Sequence, residues 1–313
     1  MTFTARRRRP AGRLAGRLAG RFANVDGIPF RMPVGTRSSP ALIAAYPVDP
    51  RGAREVLPEE LSPYRIRGEG VLMIAVVDYQ DTPIGTYVEL CTGILCTPAG
   101  RPAPPLLPLL FRAAFGTGVH IGDMPVSTEI SVKGGLGIWG MPKRRASLDF
   151  VADGSTVSSQ YDLDGQLVMR VDVPRPARAW LPVRFTGIGY ASFRGMLWKS
   201  SVTLCGRMGL TWGGGPENRL LLGDHERAAW LKRLDIRDRP FLTAFIPSVR
   251  GVLHDHVEGW FRTSATPPPP PREGLESVVG LGLGQDRLPP PDRAATDRLL
   301  GLPRPREYAA PMP

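Results

Sequence analysis

Two Asp-Gly pairs, Asp153-Gly154 and Asp164-Gly165, each stand between strand-like runs: Ala146 to Val151, Ser155 to Leu163 and Gln166 to Val173. Such a pair supplies the positive-φ positions of a tight hairpin turn, so this stretch is predicted to fold as consecutive antiparallel strands. Val71 to Val77, Tyr87 to Cys96, Val183 to Tyr190 and Ser200 to Cys205 are short apolar runs and read as further strands. Helices are expected at Arg51 to Val56, ending before Pro58, at Leu106 to Phe115, stopped by Gly116, and at His225 to Leu234, with Asp224 as N-cap. With 36 glycines and 34 prolines in 313 residues, the punctuation is too frequent for a helical bundle. Strands do not alternate with helices as a doubly wound sheet requires. The expected class is α+β and mainly antiparallel β: a closed or strongly bent barrel core with a few peripheral helices.

Composition divides the chain in three. Residues 1–24 hold seven arginines and no acid, which reads as a basic disordered arm. The formal charge of +11 therefore leaves only +4 for the rest, which argues against nucleic-acid recognition by the folded part. Arg6 to Arg9 imitate a twin-arginine signal, but arginines at 13, 17 and 21 interrupt the apolar segment that should follow. From Thr266 the chain runs through Pro267 to Pro271 and Pro289 to Pro291, a Pro-rich tail over residues 266–313. The folded domain is thus expected over residues 25–265. No run approaches a transmembrane helix, and Cys91, Cys96 and Cys205 form neither a disulfide framework nor a zinc motif. These features fit a cytoplasmic protein with buried thiols.

Of forty Lys and Arg residues only four are lysines: Lys133, Lys143, Lys199 and Lys232. An arginine stays protonated, whereas a lysine amine made neutral can attack a carbonyl, so covalent amine chemistry falls to very few residues here. Lys143 has the most suggestive surroundings, with Trp139, Met141 and Pro142 before it and Arg144-Arg145 after it. Burial among apolar groups disfavours the ammonium and a neighbouring cation repels it, desolvation being the larger effect. Lys199, beside Trp198, is the rival amine. A surface lysine in a basic turn is the plain alternative.

The run from Val119-His120-Ile121-Gly122-Asp123-Met124-Pro125 through Glu129 into Ile138-Trp139-Gly140-Met141-Pro142-Lys143 resembles the acetoacetate decarboxylase family. The resemblance extends more loosely over residues 36–262. It implies that Lys143 forms a Schiff base, that Arg144 occupies the place of a second lysine, and that Glu89, in Tyr87-Val88-Glu89, is an active-site glutamate that moves protons. Trp139 and Met141 would flank the substrate, and Arg37 is the nearest candidate for the arginine that holds its carboxylate. A second family glutamate falls near Met73 and is missing.

The implied reaction is that of a Schiff-base lyase acting on a small keto acid, with decarboxylation of a β-keto acid such as acetoacetate the leading form. An aldolase or dehydratase using the same lysine, and a barrel that binds a ligand without turnover, remain open alternatives. No metal or organic cofactor is required, and a homo-oligomer is implied by the resemblance. Glu129 is a weaker candidate carboxylate. His254-Asp255-His256 lacks a third convergent metal ligand, and no Gly-x-Ser-x-Gly elbow supports a hydrolase.

Overall fold

The structure is a computed structural model that describes residues 21–100, 107–261 and 287–301. The basic run Arg6 to Arg9, the prolines Pro267 to Pro271 and Leu106 lie outside the described residues. The chain enters through a hairpin of β1 (Arg21–Val25) and β2 (Ile28–Met32), followed by β3 (Val34–Val48), α1 (Pro50–Glu55), β4 (Leu61–Pro63), β5 (Gly70–Tyr79) and β6 (Tyr87–Pro98). Two single-turn helices, α2 (Leu107–Leu110) and α3 (Arg112–Phe115), lead to β7 (Gly118–Val126), α4 (Glu129–Trp139) and β8 (Lys143–Arg145). Next come β9 (Ser147–Leu148), β10 (Val151–Ala152), β11 (Thr156–Leu163), β12 (Gln166–Pro174), and the long β13 (Leu181–Phe193) and β14 (Met196–Trp212). β15 (Arg219–Leu222), α5 (Ala229–Lys232), β16 (Leu242–Leu253), β17 (Glu258–Phe261) and α6 (Arg293–Leu299) complete the order.

Strands β6, β5, β3, β16, β14, β13 and β7 pair in that order, and β7 pairs back onto β6, so seven strands close a barrel. Every junction in the ring is antiparallel except β13–β7, and β8 adds to β7 in parallel. β10, β11, β12 and β15 form a second sheet, with β9 paired to β11. The main core lies between the barrel wall and that sheet, where Leu42, Leu72, Ile74 and Leu90 meet Val157, Tyr161, Met169 and Val171. Because side chains alternate across a strand, Val88 and Leu90 of β6 face this core while Glu89 and Cys91 face the barrel interior.

Both Asp-Gly pairs make hairpin turns. Asp164 and Gly165 have φ of 52° and 75° between β11 and β12, while Asp153 Oδ1 accepts from the amides of Ser155 and Thr156 before β11. The expected strand Ala146 to Val151 is broken into β9 and β10 at Asp149 and Phe150, where the Asp149 carboxylate, in place of a backbone carbonyl, accepts from Gln160 N at 2.7 Å. The helix expected over His225 to Leu234 is a 3₁₀ turn, Glu226–Ala228, running into α5. Its cap is His225, whose Nδ1 accepts from Arg227 N, and Asp224 instead holds Lys232 at 2.9 Å. Leu106 to Phe115 was expected as one helix, but Phe111 adopts a non-helical backbone and divides it, with Gly116 stopping α3 in the left-handed region.

Two boundaries move. β1 begins at Arg21, inside the segment read as an arm, because its pairing with β2 and packing on α4 supply the partners that a lone strand lacks. The stretch read as a disordered tail carries α6. Arg293 bonds Asp149 and Ser158, Thr296 accepts from Gln160, and Asp297 pairs with Arg170 at 2.6 Å, contacts that no local pattern announces.

Barrel closure depends on one close approach. β6 and β7 change register at Gly93, where an added Cβ would stand 2.2 Å from the carbonyl oxygen of His120. Gly93→Ala is expected to strain this ladder and lower stability by about 1–3 kcal/mol, read as a lower Tm or urea midpoint. An unchanged midpoint would show that the closure is not tight there.

Candidate active site

The lysine is delivered by a β7–α4–β8 crossover. Gly140 ends α4 at φ 64°, with its amide bonded to the carbonyls of Gly135 and Leu136, and Pro142 blocks any continuation. Lys143 then pairs beside Met124 and Arg144 beside Pro125. Successive residues of β8 face opposite ways, so Lys143 and Arg144 part company.

Inside the barrel, Lys143 Nζ stands 2.6 Å from Glu89 Oε2 and 3.1 Å from Ser131 Oγ on α4. Only 6% of the lysine side chain and 13% of the glutamate side chain are exposed. Tyr79 donates to the other glutamate oxygen, Oε1, at 3.4 Å and stacks on Tyr87 with ring centroids 4.6 Å apart. The ammonium lies 5.6 Å from the Tyr87 centroid. Burial, and then the Glu89 charge, hold both tyrosine hydroxyls well above their ordinary range, so they stay protonated. Cys91 keeps some accessible surface but lies deep in the fold, and burial followed by Glu89 raises its thiol to about 12. The result is one amine, one carboxylate and neutral hydroxyl and thiol neighbours, largely buried together.

α4 makes room for the amine. A Cβ on Gly135 would lie 2.3 Å from Lys143 Cδ and 2.6 Å from Cε, so the helix can pass against the lysine stem only as glycine. Gly134 and Gly137 admit Phe30 and Val25 of the entry hairpin in the same way. Lys133, 4% exposed, is tied to Asp26 of that hairpin at 2.8 Å. The Gly-Gly-x-Gly run hid this helix from sequence reasoning, since glycine weakens helix propensity by about 1 kcal/mol per residue. The usable signals were Gly140 and Pro142 as a stop.

The other predicted residues divide. Trp139 and Met141 are buried together with Met32, Ile121 and Met124, against which Cys91 packs, and Trp139 Nε1 donates to the carbonyl of His254. They form an apolar wall beside the site. Arg144 turns to the opposite face and pairs with Asp123 at 2.9 Å, where Tyr161 also donates to Asp123. Arg37 is 88% exposed and lies 3.9 Å from Asp81. Neither arginine is beside the amine: alternation on β8 removes Arg144, and solvent keeps Arg37. Lys199 bonds both oxygens of Glu258, and Glu129 is partly exposed at the start of α4. Among the described residues no group of three or more His, Cys, Asp or Glu could hold a metal, and Met73 sits on β5 opposite Gly93. Sequence reasoning missed Tyr79, Ser131 and Cys91; Cys91 was legible as the i+2 neighbour of Glu89 on the same strand face. A surface cleft of about 530 Å³, lined by Leu222, Leu231, Lys232 and Arg237 among others, contains none of these groups.

The family model described as acetoacetate decarboxylase matches residues 23–183, about half of the chain. An acetoacetate decarboxylase structure is 16% identical over 74% of this chain and 91% of its own, with a TM-score of 0.56. Acetoacetate decarboxylase from Legionella pneumophila is also 16% identical, over 71% and 84%, with a TM-score of 0.51. No curated protein matches the chain in sequence. No described helix is long and apolar enough to cross a membrane.

Two outcomes are expected. Gly135→Ala should displace the lysine stem, raising acetylation of Lys143 by acetic anhydride severalfold in peptide mass mapping while the far-UV spectrum is retained. Unchanged labelling would mean that α4 does not hold this side chain. The second concerns alkaline pH. Cys91 and Cys96 are both raised from 9.0 to about 12, mainly by burial, so the unfolded chain releases these protons first. Stability should therefore be full below about pH 9 and fall by up to about 1.4 kcal/mol per thiol per pH unit between 9 and 12. Urea midpoints across that range check it, and Cys96→Ala should flatten the slope.

Proposed function

The chain belongs to the acetoacetate decarboxylase family, and from that premise we propose that it is a Schiff-base lyase acting on a small keto acid, with a β-keto acid such as acetoacetate decarboxylated at Lys143. The observation that carries this reading is the buried Lys143–Glu89 contact of 2.6 Å. Glu89 stands where it can take the proton that the amine must lose before it attacks a carbonyl.

The amine then adds to the ketone carbon, and the carbinolamine loses water to give an iminium. The carbon–carbon bond to the carboxylate breaks, its electron pair moves into the iminium, and CO2 leaves an enamine. Glu89, having given its first proton to the hydroxyl that leaves the carbinolamine as water, takes another from solvent and delivers it to the enamine carbon, and water then releases the ketone and the amine. Ser131 orients Nζ from one side, and Tyr79 holds the glutamate from the other.

A second reading has its own support. With Met73 on β5 and Glu89 the carboxylate bonded to the amine, the site couples one acid–base group to the hydroxyls of Tyr79 and Ser131. Aldol or dehydration chemistry through the same iminium needs no second carboxylate.

Borohydride reduction in the presence of acetoacetate or pyruvate, followed by peptide mapping, tests the reading. Acetoacetate should leave on Lys143 the mass of a reduced acetone imine, the CO2 having gone, with Lys133, Lys199 and Lys232 unmodified. An adduct that retains the carboxyl group would favour the aldolase or dehydratase reading, and no adduct across a panel of keto acids would leave a ligand-binding barrel. Glu89→Gln should lower turnover by about 10²–10⁴-fold with the trapped lysine unchanged.

A further inference from the structure

A keto acid brings a carboxylate to Lys143, and neither Arg144 nor Arg37, the two arginines that the sequence suggested, is placed to meet it. Arg144 is engaged by Asp123 on the far side of β8, and Arg37 is in solvent beside Asp81. The charged groups that act on Tyr79, Tyr87 and Cys91 are Glu89, Lys143 and Asp123. The backbone is a further source of positive potential.

The first turn of α4 can supply it. This helix has eleven residues, and the amides of Glu129, Ile130 and Ser131 precede the first intrahelical acceptor, so they point out of its N-terminus without helical partners. An N-terminal threonine ordinarily folds its hydroxyl back onto such amides. Thr128 does not: it is extended, makes no side-chain cap bond, is 1% exposed, and its Oγ1 is buried without a partner among the described residues. A sealed hydroxyl and a set of open amides are thus left side by side. Glu129, in the same turn, is partly exposed and makes no hydrogen bond to them.

The position relative to the amine is fixed by contacts. Val126 pairs with Glu89, and Thr128 follows two residues on, past the bend at Ser127, whose hydroxyl accepts from Val88 N. Ser131, the third residue of the helix, reaches Lys143 Nζ at 3.1 Å, so the amine stands one side chain away from the open amides. In α- and β-keto acids the carboxylate and ketone carbons are one or two bonds apart, about 1.5–2.5 Å. A substrate attached to Nζ places its carboxylate within that neighbourhood. Helix N-termini favour anions both through these amides and through the aligned peptide dipoles.

We propose that the N-terminal turn of α4, with the Thr128 hydroxyl, is the carboxylate-binding subsite of this barrel and takes the part that an arginine would otherwise play. The inference rests on the keto-acid reading above, yet it is tested without Schiff-base chemistry. 3-Hydroxybutyrate carries the carboxylate but no ketone, and 3-hydroxybutyramide replaces the charge with a neutral amide. In calorimetric titrations of the full chain, 3-hydroxybutyrate is expected to bind more tightly than the amide. Thr128→Val should weaken the acid about tenfold or more while leaving the amide unchanged, and Thr128→Ser should restore it. Equal loss for acid and amide, no loss in Thr128→Val, or no binding of the acid by the unmodified protein would each overturn the proposal. Carboxylate binding through Thr128 together with a lysine that never traps a ketone would sink the lyase reading and leave the subsite standing.

Discussion

The ladder between β6 and β7 is the constraint on which the other features depend, because it closes the barrel and also brings together the two halves of the buried Lys143–Glu89 pair. β6 holds Glu89. β7 holds β8 in parallel register and, through it, Lys143. The two side chains are 54 positions apart in sequence and meet at 2.6 Å because both their strands pair with β7. Small residues at Gly93 and Gly118 let backbones come close where that ladder bends, and a Cβ on Gly118 would stand 2.6 Å from the carbonyl oxygen of Ile188 on β13. Closure, register and site are therefore one structural event.

The placement of the apolar core follows from the same closure. The largest cluster lies outside the barrel, between its wall and the second sheet, and it includes fully buried Tyr46, Leu42, Leu72 and Ile74. This arrangement frees the interior from having to be a packed core. It can then hold a charged pair, a stacked tyrosine pair and a thiol, groups that would be costly in a core without partners. Each has a partner or is kept neutral. Glu89 is bonded by Lys143 and approached by Tyr79, while the tyrosine and cysteine protons are held by burial.

Helix α4 shows how tertiary contacts override local preference. Three glycines in eleven residues weaken it as an isolated helix, and it is held instead by Lys133–Asp26, by the fit of Phe30 and Val25 against Gly134 and Gly137, and by its Gly140 stop. In return the helix approaches the lysine stem more closely than any side chain would allow, carries Ser131 to the amine and leaves its first turn open.

Much of this was legible in the chain. Asp-Gly pairs can satisfy the positive-φ demands of a hairpin in very few ways, so the β11–β12 turn and the β-rich class followed from local chemistry, as did Lys143 from being a rare amine in an arginine-rich sequence with a recognisable motif. Local chemistry did not reveal α4, because propensity opposes it, nor α6, whose stability comes from Asp149, Gln160 and Arg170 far away in sequence. It also misplaced the arginines. Adjacency in sequence put Arg144 beside the amine, whereas the two-residue period of a strand sends it to the opposite face to meet Asp123. The sequence by itself determined the turns, the strand content and which amine stood out, all of which depend on neighbours in the chain. Only the tertiary structure decided which carboxylate and hydroxyls surround that amine, because those groups meet through barrel closure, which depends on pairing between distant strands.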